Sequence, residues 1–267
     1  MNAIVNGRLV LANEASLLVS DLAIQRGYGI FDFFKTLGGR AILLEEHLDR
    51  FFSSAAALRL PLEMGRDGVK EMISLLMDAN GIGDSGVRLT LTGGYSADGY
   101  MLARPNLVIT QQVLSLPGAD LMERGMKLIT HAHVRQMPEV KTIDYLMAIW
   151  LQPIVKERGA DDVLYHWDGV VTECPRSNFF IVTKEGRVAT AGRNVLRGIT
   201  RQQLLELGSV EVRDVTLKDI RDAREAFVSS TTKYIVPVVS VDGVAVGDGR
   251  PGKITEWLLG ELKNRQA

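Results

Sequence analysis

Apolar residues come in short runs through the first forty or so positions, and the pattern then changes to a period near 3.6. Ile4-Val5 and Leu9-Val10 flank Asn6-Gly7, a pair able to hold two positive φ angles, which predicts a tight hairpin. A second hairpin is predicted over residues 31–44, where Gly38-Gly39 separates Phe33-Phe34-Lys35-Thr36-Leu37 from Ala41-Ile42-Leu43-Leu44. Leu48, Phe51, Phe52, Ala55 and Leu58 then mark one face of a helix that must stop before Pro61. The pattern repeats over 69–77 and ends near Asn80-Gly81. Residues 87–91 and 106–113 read as strands.

Residues 116–125 contain Pro117-Gly118 and show neither periodicity, which predicts a linker between a smaller domain at 1–115 and a larger one at 126–267. In the second half, strands are predicted at 126–132, 162–166 and 179–183, and helices at 143–156 and 201–207. A hairpin is predicted at Asp242-Gly243 and a closing helix over 254–262. Tight turns join most of these strands, so the expected class is α+β in two domains rather than a doubly wound sheet.

Composition narrows the function by exclusion. With 46% hydrophobic and 24% charged residues, the 267-residue chain can bury a sizeable core. Its 31 Lys and Arg nearly balance 32 Asp and Glu, giving a formal net charge of −1. No broad field draws it to nucleic acid or an anionic membrane, and any cationic site must be local. The one cysteine, Cys174, excludes an intramolecular disulfide framework and fits a reducing compartment. Residues 1–11 lack a basic stretch followed by a long apolar one, and no apolar run reaches the length of a membrane span. A cytoplasmic protein is expected.

Four short patterns invite misreading. Gly247-Asp248-Gly249-Arg250-Pro251-Gly252 spells GxGxxG, but fifteen residues follow it, too few for the βαβ unit and ribose-binding acid that give the pattern its meaning. Gly83-Asp84-Ser85-Gly86 sits where a helix must turn into a strand, and reads as that turn rather than as a nucleophile loop. His131 and His133 share one face of a predicted strand without a third His or Cys nearby, so no metal site is expected. Cys174, beside Pro175, has no paired base to make it a thiolate and is expected to be a buried, inert thiol.

The informative signal is a set of separated segments: Arg26-Gly27-Tyr28-Gly29-Ile30-Phe31-Asp32, Glu46-His47-Leu48-Asp49-Arg50, Glu139-Val140-Lys141-Thr142, Val171-Thr172-Glu173 with Ser177-Asn178-Phe179, Leu196-Arg197-Gly198-Ile199-Thr200-Arg201, and Phe227-Val228-Ser229-Ser230-Thr231-Thr232. In order and separation they resemble the class IV aminotransferases over nearly the whole chain. The resemblance implies a two-domain, fold type IV enzyme like the D-amino-acid aminotransferases, with pyridoxal 5′-phosphate as cofactor. It implies that Lys141 carries the cofactor as a Schiff base. Apolar Pro138, Val140 and Ile143 would favour the neutral amine that such a bond requires. Glu173 corresponds to the glutamate at the pyridine nitrogen, where a carboxylate keeps the ring protonated and electron-accepting. Arg50, on the first long helix, corresponds to the phosphate arginine. Ile199 and Thr200 open a helix whose first N–H groups suit an anion, and Ser230 and Thr231 add hydroxyls. Each alone reads blandly, as a solvated lysine, a turn acid, a helix cap and a strand end. Their joint presence points to a cofactor site.

The resemblance further implies ping-pong transamination between an amino acid and a 2-oxo acid, with Lys141 acting in turn as nucleophile and general acid/base. The family includes L-branched-chain and D-amino-acid transaminases and aminodeoxychorismate lyases. The usual D-enzymes carry an Arg and a His after the strand that here reads Leu89-Thr90-Leu91-Thr92-Gly93-Gly94-Tyr95, and both are absent. Arg88 falls where branched-chain enzymes have an arginine, while Arg26 and Pro175-Arg176 replace aromatic rings of that pocket. Arg26, Arg88 and Arg176 would make a more cationic pocket, suited to a D-alanine or D-glutamate type substrate with 2-oxoglutarate. For Arg26 and Arg176 the alternative is a bond to backbone carbonyls at turns. Phe31 and Tyr145, with Tyr28 and Tyr95, are candidate pocket walls. Asp32 replaces a common glutamate, and Asp144 a frequent asparagine.

Three other functions use the same segments: an L-branched-chain transaminase, an aminodeoxychorismate lyase needing no amino acceptor, and a protein that binds the cofactor without turnover. The resemblance also implies a homodimer whose sites take residues from both subunits, with the first-domain arginines as candidates for that role.

Overall fold

The computed structural model describes residues 1–208 and 210–266. The chain divides into two units, Met1–Ser115 with Val140–Asp144, and Leu116–Glu139 with Tyr145–Ala267. The first unit thus includes a short segment that the sequence pattern assigned to the second half.

In the first unit an antiparallel sheet of 6 strands runs in the order Arg8–Leu11, Asn2–Val5, Leu107–Val113, Ser85–Thr92, Gly29–Leu37, Arg40–Ala41. Helices Leu44–Ala57 and Gly65–Asn80 lay their apolar stripes on one face. Leu48, Phe51, Val69, Ile73 and Leu76 pack there with Ile30, Phe34, Val87, Leu89 and Ile109. Burying each such Leu, Ile or Phe contributes roughly 1.5–3 kcal/mol. Because strand side chains alternate, Ile30, Asp32 and Phe34 point toward the helices, while Phe31, Phe33 and Lys35 lie on the opposite face. The second hairpin is shorter than expected. Leu43 takes φ 55, which ends the extended run and starts the helix at Leu44.

In the second unit the sheet has 11 strands, with Val210–Arg213, Val188–Ala191, Ser177–Val182, Glu225–Ser230, Tyr234–Val241, Met126–Ala132, Asp162–Trp167, Val170–Val171 and Val215–Thr216 in sequence across it. Glu173–Cys174 adds to Ser177–Val182, and Val244–Ala245 to Tyr234–Val241. Three pairings are parallel: 188–191 with 210–213, 234–241 with 126–132, and 126–132 with 162–167. Parallel neighbours need crossovers, so this half adds crossovers to the tight turns that join most of its strands, as expected. Helix Leu146–Glu157 makes one crossover and helix Ile199–Glu206 another. The stretch expected as a bare linker contains helix Ala119–Arg124, whose Leu121 and Met122 pack on the second core. Among the described residues no helix is long and apolar enough to cross a membrane.

Candidate active site

The local fold around Lys141 follows from two glycines. Gly27 ends helix Leu22–Arg26 at φ 65, a left-handed cap that turns the chain sharply into strand Gly29–Leu37. At Gly29 a Cβ would lie 2.8 Å from the Leu91 carbonyl oxygen and 3.1 Å from Ile143 Cδ1, so only glycine admits the neighbouring backbone. Segment 140–144 docks against this strand. Phe31 N donates to Lys141 O (2.9 Å), Ile143 N to Gly29 O (3.1 Å), and Lys141 N to Ser54 Oγ (3.3 Å). Lys141 Nζ then lies 4.5 Å from the centre of the Phe31 ring, and the Arg88 guanidinium carbon lies 3.9 Å from the same ring. Phe31 is buried while Arg88 is exposed, so one aromatic ring carries the amine and a solvent-facing cation.

Arg50 reaches a buried acid. Its Nε donates to Asp32 Oδ2 (2.8 Å) and its Nη2 to Asp32 Oδ1 (2.9 Å), a two-pronged contact, while His47 Nδ1 lies 2.7 Å from Oδ1. Asp32 is 1% exposed. Burial pushes its carboxyl up, but Arg50 and His47 outweigh that and hold it well below the usual carboxylate range. Burial, with the nearby Arg50 and Lys141 charges, outweighs the contact with Asp32 and holds the His47 ring below its ordinary range.

In the second unit Glu173 is buried at 4% exposure and surrounded by donors. Arg135 gives Nε (2.9 Å) and Nη2 (2.8 Å) to Oε1, while Leu196 N (2.9 Å) and Asn178 Nδ2 (3.3 Å) reach Oε2. Arg135 is itself braced by the Pro138 carbonyl. Asn178 stands directly opposite Glu173 across the short hairpin that turns at Pro175-Arg176, and its amide also holds Leu196 O at 2.8 Å. A buried carboxylate with this donor set stays ionised and fixed.

The Leu196 loop leads into helix Ile199–Glu206, capped by Gly198 without a side-chain acceptor, so no cap side chain competes for the first-turn N–H groups. A Cβ on Gly198 would fall 2.1 Å from Asn178 Oδ1, so the loop needs glycine to lie this close to the Glu173 cluster. Thr200 is buried in that first turn. Ser230 ends strand Glu225–Ser230, its Oγ accepting from Lys233 N at 3.2 Å, and Thr231 follows in the turn. Ser229, paired with Asn178 in the sheet, is 1% exposed and its Oγ is buried without a hydrogen-bond partner.

Not every expected residue joins these groups. Arg26 is exposed and donates to Gln25 O at 2.9 Å, the backbone alternative foreseen for it. Arg176 is exposed in its hairpin turn. Tyr28 is tied to Leu58 O (2.7 Å), a packing bond within the first unit, and half-exposed Tyr145 precedes helix Leu146–Glu157. Cys174 is buried, and burial raises its thiol well above the ordinary range. His131 and His133 pack against Trp150 and Tyr165. Arg135, Asn178 and Ser229 carried no expected role. Arg135 lies in an aperiodic stretch, and only the requirement that a buried acid be paired would have pointed to a cation near Glu173.

Lys35, on the face shared by Phe31, is 1% exposed, and burial lowers its ammonium to about 7. The fold therefore favours its neutral form. Below about pH 7 it is charged in both states and the fold bears the full cost, which is relieved as pH rises toward 10.5. Lys35→Met should accordingly stabilise the protein more at pH 7 than at pH 9. Thermal midpoints of the two proteins at both pH values check this, and an unchanged difference would contradict it.

A model of the family described as amino-transferase class IV matches residues 29–241. A D-alanine aminotransferase of Listeria innocua is 31% identical over 274 residues, covering 97% of this chain and 93% of its own. A putative branched-chain-amino-acid aminotransferase of Methanocaldococcus jannaschii is 28% identical, covering 99% of this chain and 96% of its own. The solved PLP-bound form of a hypothetical aminotransferase from Mycobacterium tuberculosis superimposes with a TM-score of 0.86 at 22% identity, over 100% of this chain and 99% of that one.

Proposed function

Because the chain belongs to the class IV aminotransferases and shares their fold type IV architecture and pyridoxal 5′-phosphate chemistry, we propose that it moves amino groups between a D-amino acid of the D-alanine or D-glutamate type and 2-oxoglutarate. The observation that carries this substrate reading is the Phe31 ring, which both the exposed Arg88 guanidinium and the Lys141 amine approach. A substrate carboxylate gripped by Arg88 brings its Cα toward that amine. The D-alanine aminotransferase relative supports the choice of enantiomer.

The residues present fit the cofactor. Its phosphate needs donors and positive charge, which the uncapped start of helix Ile199–Glu206, Thr200, Ser230, Thr231 and Arg50 would supply. The partnerless Ser229 hydroxyl marks the same sheet as a place where a polar ligand belongs. Glu173 would sit at the ring nitrogen, held anionic by Arg135 and the Leu196 N–H.

Bound there, the cofactor supplies an aldehyde that exchanges amines and a ring that draws electrons from the substrate Cα. Lys141 Nζ is the amine that would hold the cofactor through that aldehyde. The same amine, when free, would serve as the base that takes the substrate Cα proton and as the acid that returns it. Glu173 keeps its negative charge throughout, because Arg135 and the backbone donor stabilise the ionised form. Arg88 would orient the substrate carboxylate beside the Phe31 ring; Tyr145, Arg176 and a second subunit's Arg26 are the remaining candidates for substrate contact.

A homodimer is part of this reading. Leu18, Val19, Ile24, Tyr100 and Met101 are exposed at 57% or more, and the loop at Gly99 lies against Gln25 and Arg26. Exposed apolar side chains of this kind suit a contact with a second subunit. The single, buried cysteine supports a cytoplasmic setting.

Supplying D- and L-alanine, D- and L-glutamate and L-leucine, each with 2-oxoglutarate or pyruvate, tests the assignment. Exchange at least about tenfold faster with the D-enantiomers is expected. Faster exchange with L-leucine would favour the branched-chain reading, which the Methanocaldococcus jannaschii relative supports. Consumption of aminodeoxychorismate without any exchange would favour the lyase.

A further inference from the structure

Asp32 is 1% exposed, and its carboxylate meets the expected chemistry only through Arg50. It accepts Nε and Nη2 of Arg50 and faces Nδ1 of His47 at 2.7 Å. An ionised carboxylate only accepts, so the proton in the last contact belongs to His47 Nδ1, and the ring is the neutral tautomer with its hydrogen on that nitrogen. The three side chains then carry one positive and one negative charge, balanced within the cluster. A free arginine side chain samples many rotamers, and holding it in one is costly in entropy. Here strand Gly29–Leu37 supplies a rigid anchor. The fork grips the Nε–Nη2 edge of the guanidinium and so fixes the direction of its Nη1 edge.

We propose that Asp32, buttressed by His47, is a positioning residue that presents the Arg50 guanidinium to the cofactor phosphate in one fixed orientation. The inference rests on the reading of Arg50 as a phosphate ligand. The role is separable from general folding because it concerns the phosphate alone.

The test titrates apo-protein with pyridoxal 5′-phosphate and, separately, with pyridoxal, which lacks the phosphate, and follows absorbance or fluorescence. The readout is the ratio of the two dissociation constants. Arg50→Ala should lower the preference for the phosphorylated form about tenfold or more. Asp32→Asn should lower it by a similar factor while changing pyridoxal binding little, and the double variant should lose no more than Arg50→Ala alone. Asp32→Glu, which can still fork, should stay within about threefold of the wild type. Should Asp32→Asn not fold, Arg50→Lys serves instead, since it keeps the charge but cannot be gripped, and it should lose most of the preference. If Arg50→Ala lowers the ratio while Asp32→Asn or Arg50→Lys does not, the positioning role is overturned and the reading of Arg50 stands. Equal weakening of both ligands in Asp32→Asn would mark a purely structural residue and also overturn it. An unchanged ratio in Arg50→Ala would remove the phosphate reading itself.

Discussion

Lys141→Ala is expected to slow amino-group exchange at least about 10⁴-fold, because one substitution removes both the nucleophile and the group that moves the proton at Cα. The fold should survive. The bonds that dock this segment, Phe31 N to Lys141 O and Lys141 N to Ser54 Oγ, are made by the Lys141 main chain and persist in the variant. Lys141→Arg keeps a cation near the Phe31 ring but cannot attack an aldehyde at neutral pH, so its loss should match that of alanine. Rates of exchange with the best amino acid and 2-oxo acid pair, measured beside thermal midpoints, check both halves. Substantial activity in either variant would remove Lys141 from the chemistry.

Glu173 carries the second large effect. Glu173→Ala leaves the part-buried Arg135 without its anion, which should cost roughly 2–4 kcal/mol of stability. Glu173→Gln keeps the shape but sets an amide N–H₂ among donors from Arg135, Asn178 and Leu196, and it removes the negative charge from the ring nitrogen. Exchange should fall about 10²–10³-fold. Pairing Glu173→Gln with Arg135→Met should restore much of the stability and none of the activity, because the second change relieves the stranded charge without returning a carboxylate. Denaturation midpoints and exchange rates on the same samples separate the two contributions. Recovery of activity in the double variant would show that Glu173 serves only the fold.

The hairpin at Asn6-Gly7, the helix over Leu48 to Leu58 and strand Met126–Ala132 were legible because local turn chemistry and period decide them. Family and fold were legible for a different reason. Cofactor chemistry demands a lysine, an acid and anion-binding turns, and the order and spacing of the motifs that carry them are those of the family. What stayed hidden depends on long-range packing. Ile143 and Asp144 looked like the start of a helix, because nothing local says that Phe31 N and Gly29 O will claim the backbone of segment Val140–Asp144. The parallel pairings of the second unit were missed because a short apolar strand carries no mark of its neighbour's direction. Arg135 was missed for the same reason, since its role depends on Glu173, distant in the chain. Asp32 was noted only as a departure from the usual glutamate, although its depth under helix Leu44–Ala57 turns it into an anchor for Arg50.

Borohydride reduction of the cofactor-loaded protein, followed by peptide mapping, measures the central claim most directly, because reduction makes a lysine–aldehyde linkage permanent. The account predicts that the phosphopyridoxyl label appears on the peptide containing Lys141 and is absent from the Lys141→Ala protein. A label on Lys35, Lys233 or any other lysine, or no label on a protein saturated with cofactor, would contradict it.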